Sequence, residues 1–276
     1  MRPLTDAATL AARLGDPGWV VVDCRFRLDA PEAGEAAWRE GHIPGAVYAH
    51  LERDLSGPVT AASGRHPLPA PGPLMARLGA WGIGPGTTVV AYDDAGGAFA
   101  ARLWWLLRWL GHRRVAVLDG GLAAWLAAGG GLARDRGAVR PCRFEGRPGG
   151  MPTVDAEAVR AGGWCLVDAR APERYRGEEE PIDPVAGHIP GAVNLPFTGN
   201  LDRAGRFLPP AALARRFAAL GAAPQRVVHY CGSGVTACHN LLAMELAGLA
   251  GARLYPGSWS EWIRDPARAV ARGPAP

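Results

Sequence analysis

The sequence predicts an α/β protein of two tandem domains, each a parallel sheet with helices on both faces. Three observations predict it. The chain has 276 residues, about twice an ordinary domain. A set of sequence blocks occurs twice in the same order. Within each copy, short Val-rich runs alternate with helical patterns.

The repeat is direct. Gly41–Val47 reads GHIPGAV, and so does Gly187–Val193. Val20–Arg25 (VVVDCR) matches Cys165–Arg170 (CLVDAR), and Val89–Asp94 (VVAYDD) matches Val227–Gly232 (VVHYCG). Gly120–Trp125 (GGLAAW) matches Gly257–Trp262 (GSWSEW). Blocks that recur once, in order and at nearly constant spacing, mark a duplicated domain and not a short-period solenoid. The expected boundaries are a first domain over 1–130, a linker over 131–152 and a second domain over 153–276. The stretch Gly129–Pro152 is rich in Gly, Pro and Arg and lacks periodicity, as a linker should, and it is expected to wrap one of the domains.

In the first copy Trp19–Asp23, Thr88–Tyr92 and Val115–Leu118 are short apolar runs bounded by Asp or Gly, the pattern of buried parallel strands. Between and after them, Leu74–Trp81, Ala98–Leu110 and Leu122–Ala128 have helical patterns. The second copy gives strands at Cys165–Val167, Val227–Tyr230 and Arg253–Tyr255, with helices near Ala211–Leu220 and Val235–Ala247.

Composition excludes several classes. Hydrophobic residues are 48% of the chain, enough for two packed cores and against wholesale disorder. The formal charge of +4 is a mild excess spread over scattered arginines, which argues against nucleic-acid binding but suits a small anionic substrate. All 30 basic residues are arginine. Without lysine there is no Walker-type phosphate loop and no Schiff-base chemistry. The five cysteines, Cys24, Cys142, Cys165, Cys231 and Cys238, are odd in number and show no metal spacing, so no cofactor is expected and one reactive thiol fits best. Met1–Gly15 contains Asp6 and no apolar run, unlike a signal peptide. The most apolar segment, Ala98–Leu110, is broken by Arg102 and Arg108, so no membrane span and a cytoplasmic location are expected. The sequence assigns no oligomeric state.

The candidate site lies in the second copy. A strand ends at Tyr230, Cys231 follows, and Gly232-Ser233-Gly234-Val235-Thr236 leads into a helix. Ligand crevices of parallel α/β sheets lie at strand carboxyl ends. Glycines let such a loop curl so that backbone N–H groups point inward, and with the helix end these stabilise an anion. Settings of this kind favour a thiolate, the form that is a nucleophile for sulfane sulfur. The plain alternative is a small buried cysteine. A cysteine phosphatase needs Arg six residues after the nucleophile to grip phosphate, and that position is Ala237. In the first copy the equivalent position is Asp93, followed by Asp94, so that domain is expected to be inactive and to contribute stability and a wall of the cleft.

These motifs resemble the tandem rhodanese family over essentially the whole chain: two GHIPGA blocks, two VD-x-R blocks, Asp in place of Cys in the first domain, a helix with Trp104 and Trp105, and the loop CGSGVT. The resemblance implies a sulfurtransferase that moves sulfur from 3-mercaptopyruvate or thiosulfate to cyanide or a thiol through a Cys231 persulfide held by the backbone of Gly232, Gly234, Val235 and Thr236. A neutral loop like this one is similar to that of mercaptopyruvate-preferring members, whereas thiosulfate-preferring members carry basic residues there.

The same resemblance makes Arg174 a substrate-binding arginine; a surface ion pair with Glu178–Glu180 is its plain alternative. It also couples Ser233 to His66 and Glu52, with Glu standing where the family has Asp. At Glu180–Asp183 some members supply a second carboxylate-binding Arg, and this segment has none. His42 and His188 are expected to be structural hydrogen-bonders, Asp23 and Asp168 to anchor loops at strand ends, and Cys238 to be a packed helix thiol and not a resolving one. Phe26 and Phe99 are read as cleft or core. The alternatives are a thiosulfate-preferring enzyme and a non-catalytic rhodanese-like binding module, against which the retained cysteine and glycine loop count.

Overall fold

The computed structural model describes residues 1–135 and 137–276. It falls into two compact units. The first comprises Met1–Gly57, Pro69–Met151 and Arg203–Phe207; the second comprises Pro58–Leu68, Pro152–Asp202 and Leu208–Pro276. Each unit therefore borrows a short segment from the sequence span of the other. The Gly- and Pro-rich stretch after residue 129 packs on the first unit: Ala133 pairs with His42, Cys142 N donates to Gly79 O at 2.9 Å, and Gly150 N donates to Trp109 O at 2.9 Å.

The first unit holds five strands: β1 (Leu4–Thr5), β2 (Trp19–Asp23), β3 (Val47–Tyr48), β4 (Thr88–Tyr92) and β5 (Val115–Leu118). They form one parallel sheet in the order β1-β5-β4-β2-β3. The sequence Thr-Val-Val-Ala-Tyr makes β4 the central strand: all five of its residues are buried, and a β-branched run suits a strand covered on both faces. Alternate side chains serve the two faces. Val90, Tyr92 and Leu118 pack with Leu10, Leu122 and Trp125 from the helices Ala7–Ala11 and Gly121–Ala127. Val89, Ala91 and Val117 point the other way and are equally buried, on the side of the helix Ala100–Trp109, whose residues Ala100–Leu107 are all buried.

The second unit repeats the plan with β6 (Cys165–Asp168), β7 (Val193–Asn194), β8 (Val227–Tyr230) and β9 (Arg253–Leu254), parallel throughout in the order β7-β6-β8-β9. A parallel bridge from Thr153 to Leu254 takes the place that β1 has in the first unit. The helix Ala237–Leu246 follows β8 as Ala100–Trp109 follows β4. The first helix of each unit is capped in the same way: Asp6 accepts from Thr9 N and Asp155 from Ala158 N. Among the described residues no helix is long and apolar enough to cross a membrane.

The duplicated motifs are internal braces. In each VD-x-R block the Asp accepts from the Arg backbone N–H and from its guanidinium, which also donates to the Gly of the GHIPGA block: Arg25 to Asp23 (2.7 Å) and Gly41 O (2.7 Å), Arg170 to Asp168 (2.6 Å) and Gly187 O (2.7 Å). The block histidines donate to carbonyls, His42 Nδ1 to Trp38 O and His188 Nδ1 to Tyr175 O, and stack on those same residues. Asp23 and Asp168 thus brace strand ends through a buried ion pair.

Because Asp168 is fully buried and its partner's side chain is 1% exposed, removing the partner strands a charge. Arg170→Ala is expected to destabilise the second unit by about 3–5 kcal/mol, read from urea denaturation.

Candidate active site

Both central strands end in the same kind of loop, and the first unit shows what that loop does. After β4, the backbone N–H groups of Ala95 and Gly97 donate to Asp93 Oδ1, and those of Phe99 and Ala100 donate to Oδ2, at 2.8–2.9 Å. Burial raises the Asp93 pKa and these four bonds oppose it. All four contacts are donors and both oxygens accept two of them, so the arrangement has no place for an acid proton and holds the carboxylate. The loop is an anion cradle that closes on its own side chain.

In the second unit the residue at the strand end is Cys231, 2% exposed. Its loop is one residue shorter before the helix at Ala237, and is stapled to the first turn of the helix Ser258–Trp262. Cys231 N donates to Ser258 Oγ at 3.1 Å, Trp259 N to Cys231 O at 3.0 Å and Ser260 N to Gly232 O at 2.9 Å. Gly234 has φ +76°, and a methyl group there would meet Pro256 O at 2.3 Å, so this position requires glycine twice over. Val235 is buried and Thr236 half-buried where the loop enters the helix. Cys238 is buried in that helix, its thiol donating to Gly234 O at 3.3 Å.

Ser233 and His66 meet. Ser233 Oγ and His66 Nδ1 share a hydrogen bond of 2.7 Å, and both residues are buried. His66 reaches the loop because the Pro58–Leu68 segment belongs to the second unit. Gly64 lies so close to Gly257 O that a methyl group would stand 2.4 Å away, and Arg65 N donates to Ser260 Oγ at 3.0 Å. Glu52 is an exposed residue of the first unit whose N–H donates to His50 Nδ1 at 3.2 Å. Phe26 and Phe99 also belong to the first unit and meet edge to face at 5.6 Å.

Arg174 lies beside the loop. Its Nε and Nη2 donate to Glu180 and its Nη2 also to Asp183. The ion pair with the acidic segment is therefore present, but it uses only part of the fork. Among the described residues Nη1 has no hydrogen-bond partner, and it would stand 3.5 Å from a methyl group on Gly232. Sequence reasoning missed Arg65, whose Nη2 comes to 3.0 Å from the same point and whose Nη1 pairs with Asp183. Its one signal in the sequence was adjacency to His66. Ser258 was missed as well. It is the one non-glycine residue with positive φ among those described (+55°), at the position where the first unit has Gly121 with φ +56°.

A family model for the rhodanese-like domain matches residues 6–128 and again 154–265, and the chain belongs to this family, with two tandem copies. A Pseudomonas aeruginosa protein named "Probable 3-mercaptopyruvate sulfurtransferase" is 56% identical over 98% of both chains. Bovine thiosulfate sulfurtransferase is 33% identical over 92% of this chain and 87% of its own. The structure of 3-mercaptopyruvate sulfurtransferase from Leishmania major superposes with a TM-score of 0.85 at 30% identity, covering 95% of this chain and 74% of that one. The chain is a sulfurtransferase of the rhodanese type, acting between a sulfur donor and a thiophilic acceptor.

Ser258 supports a prediction. Its hydroxyl takes the Cys231 N–H while its backbone sits where glycine is at ease. Ser258→Ala keeps the strain and orphans that N–H; Ser258→Gly relieves the strain. Both are expected to destabilise the second unit, and Ala by about 1 kcal/mol more than Gly, measured by chemical denaturation.

Proposed function

We propose that this sulfurtransferase takes sulfur from 3-mercaptopyruvate onto Cys231 and passes it to cyanide or a thiol. The observation that carries the reading is the position of Cys231: it occupies the strand end at which the first unit's loop surrounds a carboxylate with four N–H donors. The anion to be held there is the thiolate first and the persulfide after it.

The steps balance without a cofactor. The Cys231 thiolate attacks the donor sulfur; an S–S bond forms and the donor C–S bond breaks. The electron pair of that bond goes to carbon, giving the enolate of pyruvate. The proton of the donor thiol ends on that carbon, leaving Cys231–S–S⁻ and pyruvate. Cyanide then takes the outer sulfur as thiocyanate, or a thiol takes it as a persulfide, and the thiolate returns. Gly232, Gly234, Val235 and Thr236 supply the backbone that holds the persulfide, and Ser233 with His66 carries the proton from sulfur to carbon, a general acid–base task that suits a hydroxyl bonded to an imidazole. Arg174 holds the donor carboxylate.

The donor preference rests on the loop. Gly232–Thr236 brings no charged side chain to Cys231, which suits a donor whose only charge is remote from the reacting sulfur. The relatives carry both donor names, so thiosulfate is the second reading. All five cysteines are free, which fits a reducing compartment, and we place the protein in the cytoplasm.

Steady-state transfer to cyanide tests the donor. A kcat/KM advantage of about tenfold or more for 3-mercaptopyruvate over thiosulfate, about 1.4 kcal/mol, is expected, and a thiosulfate preference would reverse the assignment. Mass spectrometry after donor treatment should show one added sulfur atom on Cys231, and Cys231→Ser should abolish both the adduct and turnover; turnover retained by the serine variant would refute the mechanism. His66→Ala is expected to slow 3-mercaptopyruvate turnover about 10²-fold, whereas a change below about twofold would take His66 out of the proton path.

A further inference from the structure

We infer that the first unit carries a docking face for an acidic protein, built from Arg113, Arg114, Arg140, Arg143 and Arg147 at the amino end of its sheet. The inference is independent of the chemistry at Cys231.

The arginines are scattered in the sequence and gather in the fold. Arg108–Gly150 holds eight arginines and three acidic residues, a larger surplus than the +4 of the whole chain. Arg113 and Arg114 stand just before β5, and Arg114 O accepts from Val89 N at 2.8 Å, at the start of β4. The loop of Asp93 follows the other end of that strand. Arg140, Arg143 and Arg147 belong to the stretch after residue 129, which contacts bring to the same edge. Arg140 O would lie 3.0 Å from a methyl group on Gly82, and Arg143 O 3.8 Å from one on Gly84. Arg147 N donates to Leu110 O at 3.0 Å, three residues before Arg113. All five arginines are exposed, and none forms an ion pair among the described residues.

The stretch is firmly seated, so its arginines are presented in place. Cys142 N donates to Gly79 O and Gly150 N to Trp109 O, each at 2.9 Å. Phe144 is buried, its ring centroid 5.8 Å from that of His112. A methyl group on Gly79, Gly146 or Gly150 would lie 2.4, 2.5 or 2.2 Å from a carbonyl oxygen across this contact, so the seat depends on glycine on both sides. Arginines on a fixed backbone lose less freedom on docking than arginines on a free linker.

Charge complementarity calls for a polyanion, and the chemistry of the face favours the carboxylates of a protein. Phosphate sites use helix N-termini and free backbone N–H groups. Here the helices Pro71–Ala80 and Ala100–Trp109 present their C-terminal ends, and the N–H groups of Cys142, Arg147 and Gly150 turn inward onto carbonyls. The aromatic rings near the face offer a nucleobase no exposed platform: Trp81 and Phe144 are buried and Trp109 is half-buried. What remains is a set of guanidinium forks, which pair one by one with carboxylates, and arginine is the charged residue that protein interfaces favour.

Fluorescence anisotropy of labelled poly-L-glutamate on the full chain tests the face. Wild type should bind it at about 50 mM salt and release it at about 500 mM, where exposed charges are screened within roughly 5 Å. Arg140→Gln/Arg143→Gln/Arg147→Gln should weaken binding about tenfold or more. Arg2→Gln/Arg160→Gln/Arg215→Gln removes the same charge from exposed positions elsewhere and should leave binding within about twofold of wild type. Should the first variant lose its urea transition, Arg113→Gln/Arg114→Gln puts the same question from the turn before β5, with weakening again expected. Equal weakening by the two triple variants reduces the effect to net charge and overturns the face, as does a wild type that fails to bind at low salt. A mixed-sequence DNA duplex or phosphatidylglycerol vesicles, bound through the same arginines more tightly than poly-L-glutamate, would give the face to a phosphate polymer or a membrane and overturn the protein partner.

Discussion

Backbone N–H groups gathered at the end of a central parallel strand must find an anion, and each half of this protein meets that demand differently. A loop that turns from strand to helix without completing either ladder leaves its donors pointing inward. In the first unit Asp93 answers with its own carboxylate, and four bonds seal the loop shut. In the second unit the side chain is a thiol, which is a poor acceptor until it loses its proton or gains a sulfur. Under the proposed function, the same backbone demand that closes one loop on a carboxylate makes the other a receptor for a reactive anion.

That loop is held by features that carry no chemistry themselves. The Asp–Arg pairs of the two VD-x-R blocks clamp the ends of β2 and β6 to the glycines of the GHIPGA blocks, and the tyrosines that end β4 and β8 accept the N–H of Ile43 and Ile189 within those blocks, each at 3.2 Å. The two most conspicuous repeats in the sequence are thus braces around the strand that delivers the functional residue. Burial pushes the Tyr92 and Tyr230 hydroxyls well above the ordinary phenol range, so they serve as fixed donors and acceptors across physiological pH.

The long elements were legible because their signals are local. Val-rich runs bounded by Asp placed β2, β4, β5 and β8 at their observed bounds, since buried parallel strands need nothing beyond apolar β-branched residues. Pro71 starts its helix three residues before the expected Leu74 and Pro210 one residue before the expected Ala211, as Pro in a first turn does. The two-residue strands β1, β3 and β7 were missed, because each exists only by pairing with a distant strand and has no period to read. The site divided in the same way. Cys231 and its loop were readable from a strand, a glycine pattern and a helix in sequence. The Ser233–His66 contact had to be supplied by resemblance, since it joins residues 167 positions apart. Arg65 had no signal of its own: nothing local says that Pro58–Leu68 leaves its sequence neighbours and docks on the second unit.

Ser258 shows how the internal repeat separates structure from function. Positions 121 and 258 share one backbone conformation, φ +56° and +55°, at the turn that packs on the strand-end loop. In the first unit glycine occupies it, the residue that takes this conformation without strain, and a methyl group there would lie 2.3 Å from Asp93 O. In the second unit serine occupies it at a cost of order 1 kcal/mol, fully buried. The hydroxyl gives a return that glycine cannot: it accepts the Cys231 N–H and donates to Tyr255 O at 2.9 Å. An N–H so engaged is withdrawn from the loop interior, and the cysteine backbone is fixed at the point where its side chain must stay free. Strain appears in the copy that carries the thiol and is absent from the copy that carries the carboxylate, which is the distribution expected if Ser258 serves the proposed chemistry as well as the fold.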